Sequence, residues 1–183
     1  VTDTMALECK KDEDFSKWYL DVIQQSQMAD YAPIKGCIVF RELSYSIWEK
    51  IQDELNARIK KTGRKNVYFP MFIPESLLKQ EEEHVEGFNP EVAWVTQTGD
   101  TKLNEKLAVR PTSETIMYPA YAKWIRSYKD LPMRIAELAK LYRYEQSGEL
   151  TGLIRVRTFC FSDAHIVVSK EDALGEVIGV LDL

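Results

Sequence analysis

The stretch from position 143 to 159 gathers the residue types best suited to hold a phosphorylated ligand. Arg143-Tyr144-Glu145 is followed, beyond the glycine-bearing loop 146–154, by Arg155-Val156-Arg157-Thr158-Phe159. Side chains on a strand alternate, so Arg143 would share a side with Glu145, and Arg155 with Arg157 and Phe159. If the two stretches pair, one face holds two or three guanidiniums, a carboxylate and an aromatic ring. Guanidiniums grip phosphate oxygens bidentately, which lysine cannot do. A flat ring can stack on a base, and a carboxylate can accept from its amino group. Spacing alone also allows two surface strands with ordinary salt bridges.

Other chemistries lack their residues. There is no GxxxxGK(S/T) phosphate loop and no GxGxxG fingerprint. The only histidines are His84 and His165, so no HExxH or His-pair metal site is available. His84, beside the acidic run, reads as an ordinary surface residue. A lone His165 beside strands reads more readily as a hydrogen-bonded or pocket-wall residue than as a metal ligand. Cys9, Cys37 and Cys160 are far apart without CxxC spacing, which points to reduced thiols of a cytoplasmic protein. The 24 basic and 29 acidic residues give a net charge of −5, against a chain built on nonspecific phosphate contacts. A local basic face for RNA remains compatible with that total. No run of about 18 uncharged apolar residues is present to span a membrane. The first residues lack the basic flank and apolar run of a signal peptide.

These side chains need a scaffold, and at 183 residues, 45% of them hydrophobic, the chain can bury one core. A helix is expected over 12–30 with Asp14 as cap, then a break at 31–33 and a buried strand at 36–40. The next helix, 43–61, carries the stripe Ile47, Trp48, Ile51, Leu55 and Ile59, which is core or dimer interface, and Gly63 ends it. Val67–Ile73 reads as a strand at an edge or bent at Pro70. A short helix follows from Pro74 into the acidic cluster Glu81–Glu83. Strands are expected at 91–96 and 107–110 around a turn at Gly99-Asp100, then a helix from Pro111 to about Tyr128. Residues 135–145 fit helix or strand. Val156–Val168 is a β-type run, and Ser169–Asp172 has the spacing of a cap for a last helix. Helices beside strands joined by short loops predict an α+β fold with a mainly antiparallel sheet.

Arg143-Tyr144-Glu145, the glycine-bearing loop and Arg155–Phe159 resemble motif 2 of class II aminoacyl-tRNA synthetases. Helix 43–61 with Val67-Tyr68-Phe69-Pro70 resembles their motif 1, a dimer-interface element. Val109-Arg110-Pro111-Thr112-Ser113-Glu114 through Pro119 looks like the proline-specific loop of prolyl-tRNA synthetases. Tyr68–Phe72, Pro90–Thr96, Ala122–Ser127 and the opening Phe15–Tyr19 resemble the archaeal and eukaryotic-type members. Ser147–Arg157, Asp163-Ala164-His165 and Lys170–Leu174 look more like threonyl-tRNA synthetases of the same subclass.

The resemblance implies a class II antiparallel sheet flanked by helices. Residues 1–183 would be the N-terminal part of a catalytic domain, ending before motif 3 and without an anticodon-binding domain. Motif 1 would span about 43–74, the amino-acid loop 107–119 and motif 2 135–168. It further implies ATP, Mg²⁺ bound with it, proline and tRNA(Pro) as ligands of a cytoplasmic homodimer with Pro70 at its interface. Arg143 would bind the α-phosphate and Arg155 the γ-phosphate, as the catalytic pair. Glu145 would accept from adenine, and Phe159 would stack on it. Thr112 and Glu114 would hold the amino acid's ammonium group. Phe161, Asp163 and His165 would complete its pocket, where prolyl enzymes of this type more often have Trp and Glu at the first two. A threonyl site would need zinc held by a Cys at the position of Glu114, so proline is the expected substrate, with no metal held by protein and no structural zinc. A threonyl-like core and a non-catalytic dimerisation or regulatory module are the alternatives.

Overall fold

The structure is a computed structural model that describes residues 7–82 and 92–183. His84, Glu83, Pro90 and Glu91, with the opening Val1–Met5, lie outside the described residues. The chain divides into two compact units, Val1–Gln52 with Glu145–Thr158, and Asp53–Tyr144 with Phe159–Leu183.

The first unit begins with α1 (Phe15–Gln25), where Asp14 caps by accepting from the Lys17 N–H. The helix is shorter than expected because the chain turns at Ser26 into a hairpin of β1 (Ala29–Tyr31) and β2 (Ile38–Phe40). The break expected at 31–33 is therefore the start of that hairpin's turn. Its second strand is half-open, with Val39 and Phe40 exposed and only Cys37 before it buried. The helix α2 (Glu42–Lys61) follows, and Ser44 fastens its start by donating to the Met28 carbonyl. Of the predicted apolar stripe, Ile59 is buried, whereas Ile47 and Ile51 remain about half exposed beside Leu43.

In the second unit Gly63, at φ +83°, closes α2 in the left-handed conformation that glycine adopts without penalty. The proline-broken strand proves to be two. β3 (Lys65–Asn66) pairs in parallel with Ile135–Ala136, and β4 (Phe72–Pro74) pairs antiparallel with Leu107–Val109 in another sheet. Pro70 lies in the bend between them, where no ladder needs its missing N–H. After α3 (Glu75–Glu82) come β5 (Trp94–Thr98) and β6 (Thr101–Val109), a hairpin turned at Gly99 with φ +55°. The strand expected at 107–110 thus begins six residues earlier, since the polar run Thr101–Lys106 occupies an exposed part of the hairpin.

The helix α4 (Glu114–Trp124) starts after the Pro111–Ser113 segment and is followed by a 3₁₀ turn at Tyr128–Asp130. The ambiguous segment near 135 is strand β7 (Met133–Tyr142), central between β3 and β8 (Thr158–Val167). Phe69, Met117, Tyr121 and Ile135 form one core cluster, and Ile73, Leu78 and Ala108 another. The last helix, α5 (Ala173–Leu181), begins after the proposed cap: Ser169 instead donates to Asp172, closing a turn ahead of it. The architecture is mixed helix and sheet with mostly antiparallel pairing, as expected.

Candidate active site

Strand β8 delivers four of the predicted side chains at odd positions: Phe159, Phe161, Asp163 and His165. Alternation puts all four on one face. The rings of Phe159 and Phe161 stack with centroids 6.0 Å apart. The Arg143 guanidinium lies 5.3 Å from the Phe159 ring centroid, and its Nε donates to the Pro111 carbonyl at 2.8 Å. That bond helps to fix the plane of the guanidinium beside the ring.

The expected continuous strand does not reach these arginines. β7 ends at Tyr142 and β8 begins at Thr158, so Arg143, Glu145, Arg155 and Arg157 sit in irregular chain. Within the first unit Arg155 donates to the Glu145 carboxylate at 2.8 Å and lies 3.5 Å from Glu149. Arg157 departs from its expected place among the phosphate-binding guanidiniums. It is buried, and donates to the main-chain carbonyls of Glu145 and Lys35 at 2.7–3.1 Å, while its N–H bonds the Gly36 carbonyl. Its charge therefore solvates backbone inside this unit.

The predicted amino-acid pocket is brought together in the second unit. The Thr112 hydroxyl donates to Glu114, and the His165 ring nitrogen Nε2 bonds Asp163 at 3.0 Å. Glu114, Asp163 and His165 present atoms within 4.8 Å of one another, a spacing that can enclose a small cation, ammonium or metal. The other oxygen of Asp163 is buried. The Asp163 bond raises the His165 pKa above its usual value against the opposing effect of burial, with Asp163, Glu114 and Glu137 charges adding to it. Burial pushes Asp163 up, but the His165 bond, the Ser113 hydroxyl and the His165 and Arg110 charges win and leave it below the usual range. The two carboxylates of this cluster offer acceptor oxygens to a small cation.

Sequence reasoning missed the groups beneath this pocket. Arg110 and Glu137 form an ion pair at 3.0 Å with side chains only 2% and 1% exposed. Tyr118 and Tyr121 of α4 meet His165 edge-on, with centroids 6.0 and 5.8 Å away. Burial, then the Asp163 charge, pushes the Tyr121 phenol well above its ordinary pKa. The available signal was parity: Ile135, Glu137, Ala139 and Leu141 alternate along β7 and all are buried, so Glu137 occupies a core position.

The chain is similar to known proteins along most of its length. Residues 94–183 match the tRNA synthetase class II core domain (G, H, P, S and T). The chain is 49% identical over 93% of its length to a proline--tRNA ligase of Natranaerobius thermophilus, of which it covers 35%. It is 45% identical over 98% of its length to the bifunctional glutamate/proline--tRNA ligase of Mus musculus, covering 12% of that protein. The prolyl-tRNA synthetase of Cryptosporidium parvum, crystallised with halofuginone and AMPPNP, superposes with a TM-score of 0.87 at 44% identity. That match covers 96% of this chain and 36% of the other. The chain thus spans about a third of the length of its bacterial relative. Residues 94–183 thus belong to the class II tRNA synthetase core-domain family, and the chain is similar over almost its whole length to proline-specific members of it.

Proposed function

We propose that the chain is the part of a proline–tRNA ligase that binds ATP and proline for formation of prolyl-adenylate. The observation that carries this reading is the Thr112, Glu114, Asp163 and His165 pocket, whose donors and charge suit a secondary ammonium with no side-chain hydroxyl. The C. parvum structure with AMPPNP supports an ATP site of the same type.

In this reading the proline carboxylate attacks the α-phosphate of Mg²⁺-ATP and pyrophosphate leaves. The prolyl group then passes to a terminal ribose hydroxyl of tRNA(Pro), releasing AMP. Arg143 takes the α-phosphate and Arg155 the γ-phosphate. Glu145 accepts from the adenine amino group, and Phe159 stacks on the base. Phe161 walls the amino-acid pocket. The chain's contribution is placement and charge stabilisation, with no nucleophile of its own. Motif 1, with Pro70 and the exposed Leu43, Ile47 and Ile51, serves a homodimer. A cytoplasmic location accords with three free thiols, and among the described residues no helix is long and apolar enough to cross a membrane.

Calorimetry with nonhydrolysable prolyl- and threonyl-adenylate analogues tests the assignment. Selective binding of the prolyl analogue is expected. A preference for the threonyl analogue would overturn the reading of Glu114, and binding of neither would favour a non-catalytic module.

A further inference from the structure

The buried carboxylate of Glu137 is hydrogen-bonded to neither proposed ligand-binding cluster, yet each of its oxygens is committed to a different one of the pocket's supports. Oε2 accepts from Arg110 Nη1 at 3.0 Å, and Oε1 accepts from the Phe69 main-chain N–H at 2.7 Å. Arg110 is the stem of the Thr112–Glu114 wall. Its main chain is held as well, donating to the Met71 carbonyl at 2.9 Å and accepting from the Tyr142 N–H at 3.0 Å. Phe69 is the stem of the other wall: its ring meets Tyr121 edge-on at 6.4 Å, and Tyr121 meets His165 at 5.8 Å. Phe69 and Tyr121 belong to one buried cluster, in which a displaced ring cannot relax independently.

We propose that Glu137 is a positioning residue for the amino-acid pocket, setting the separation of its Thr112–Glu114 and His165 walls through Arg110 and Phe69. The proposal rests on the proline-pocket reading above. A carboxylate is suited to this task because it accepts at two oxygens, one from a guanidinium and one from a backbone amide. A glutamine keeps only one acceptor, so its NH2 group would face a donor, either Arg110 or the Phe69 N–H. Replacement of both buried partners by apolar side chains removes the clamp without stranding a charge, so fold and positioning can be separated.

The experiment compares the unaltered chain, Glu137→Gln and the double variant Arg110→Met with Glu137→Met. Each is titrated calorimetrically with the prolyl-adenylate analogue and with AMPPNP, and the His165 ring resonances are followed by NMR without ligand. Both variants are expected to shift the His165 resonances and weaken the prolyl analogue about tenfold or more while leaving AMPPNP affinity within about twofold. Unmoved His165 resonances with unchanged prolyl affinity in a folded variant overturn the proposal, as does equal loss for both ligands. If the unaltered chain binds no prolyl analogue, the pocket reading fails, and the His165 resonances alone decide whether Glu137 sets that wall. Should neither variant fold, hydrogen exchange in the unaltered chain decides. Slower exchange of the Phe69 amide with the prolyl analogue but not with AMPPNP supports the clamp, and no difference overturns it.

Discussion

The Arg155 guanidinium donates to the Glu145 carboxylate across 2.8 Å, with Arg155 half exposed and Glu145 largely buried. Two side chains assigned to different parts of ATP thus hold one another. Only one Glu145 oxygen is engaged with Arg155, so the other can accept from an adenine amino group. Glu145→Ala is expected to weaken AMPPNP about tenfold while leaving a guanine analogue little changed, because the lost contact is a charge-assisted hydrogen bond to adenine. Calorimetry with both nucleotides checks this, and equal weakening would remove Glu145 from base recognition.

Arg143 and Phe159 should behave as a unit. The guanidinium sits 5.3 Å from the ring and is oriented by the Pro111 carbonyl. Lysine keeps the charge but loses the planar fork and the Nε bond, so Arg143→Lys should cost about tenfold or more in AMPPNP affinity. An affinity equal to that of the unaltered chain would show that charge alone is needed there.

The glycines of the two units should differ in their tolerance of a methyl group. Gly36 has φ +78°, and a Cβ there would lie 2.7 Å from Arg157 Cδ, whereas Gly63 at φ +83° faces open space. Gly63→Ala should cost only the left-handed backbone penalty, about 1–2 kcal/mol. Gly36→Ala should cost more, because it also displaces the buried arginine that binds the Lys35 and Glu145 carbonyls. Urea unfolding of both variants makes the comparison, and equal losses would mean that Arg157 yields freely.

The His165–Asp163 pair sets a stability window in pH. The His165 pKa is raised, so its contribution is full below about pH 6.5 and is lost as pH rises through the higher folded value. Asp163 is lowered, so its contribution is present above its ordinary range near pH 4 and is lost as pH falls through the folded value. The groups facing His165 are Asp163, Glu114, Glu137, Tyr118 and Tyr121. Thermal melting should therefore show stability declining as pH rises above about 6.5, and His165→Gln should flatten that decline. An unchanged slope in the variant would place its origin elsewhere.

Local signals proved easiest to read in the sequence. Asp14 caps α1 and Gly63 closes α2 because each acts within its own turn. Alternation placed Phe159 on the Arg155 side, whereas Phe161, Asp163 and His165, like Thr112 and Glu114, were legible only through family resemblance. Partners distant in sequence were not legible. Whether 135–145 forms helix or strand is settled by β3 and β8 on either side of it. Period-two reasoning placed Arg157 beside Arg155, but carbonyls at Lys35 and Glu145 claim it. Glu137 drew no reading of its own in the sequence, because its partners, Arg110 and the Phe69 amide, lie far from it along the chain.

The bonds of Arg157 to the Lys35 and Gly36 carbonyls, with Tyr19 accepting from the Leu153 N–H, have a consequence for the order of assembly on the ribosome. The first unit joins Val1–Gln52 to Glu145–Thr158, with Asp53–Tyr144 translated in between. Its opening helix and hairpin are made early but cannot acquire these partners until the later stretch has left the exit tunnel. A nascent chain stopped before position 145 should leave Ile23 and the Gly36 turn without their native cover, open to protease and chaperone.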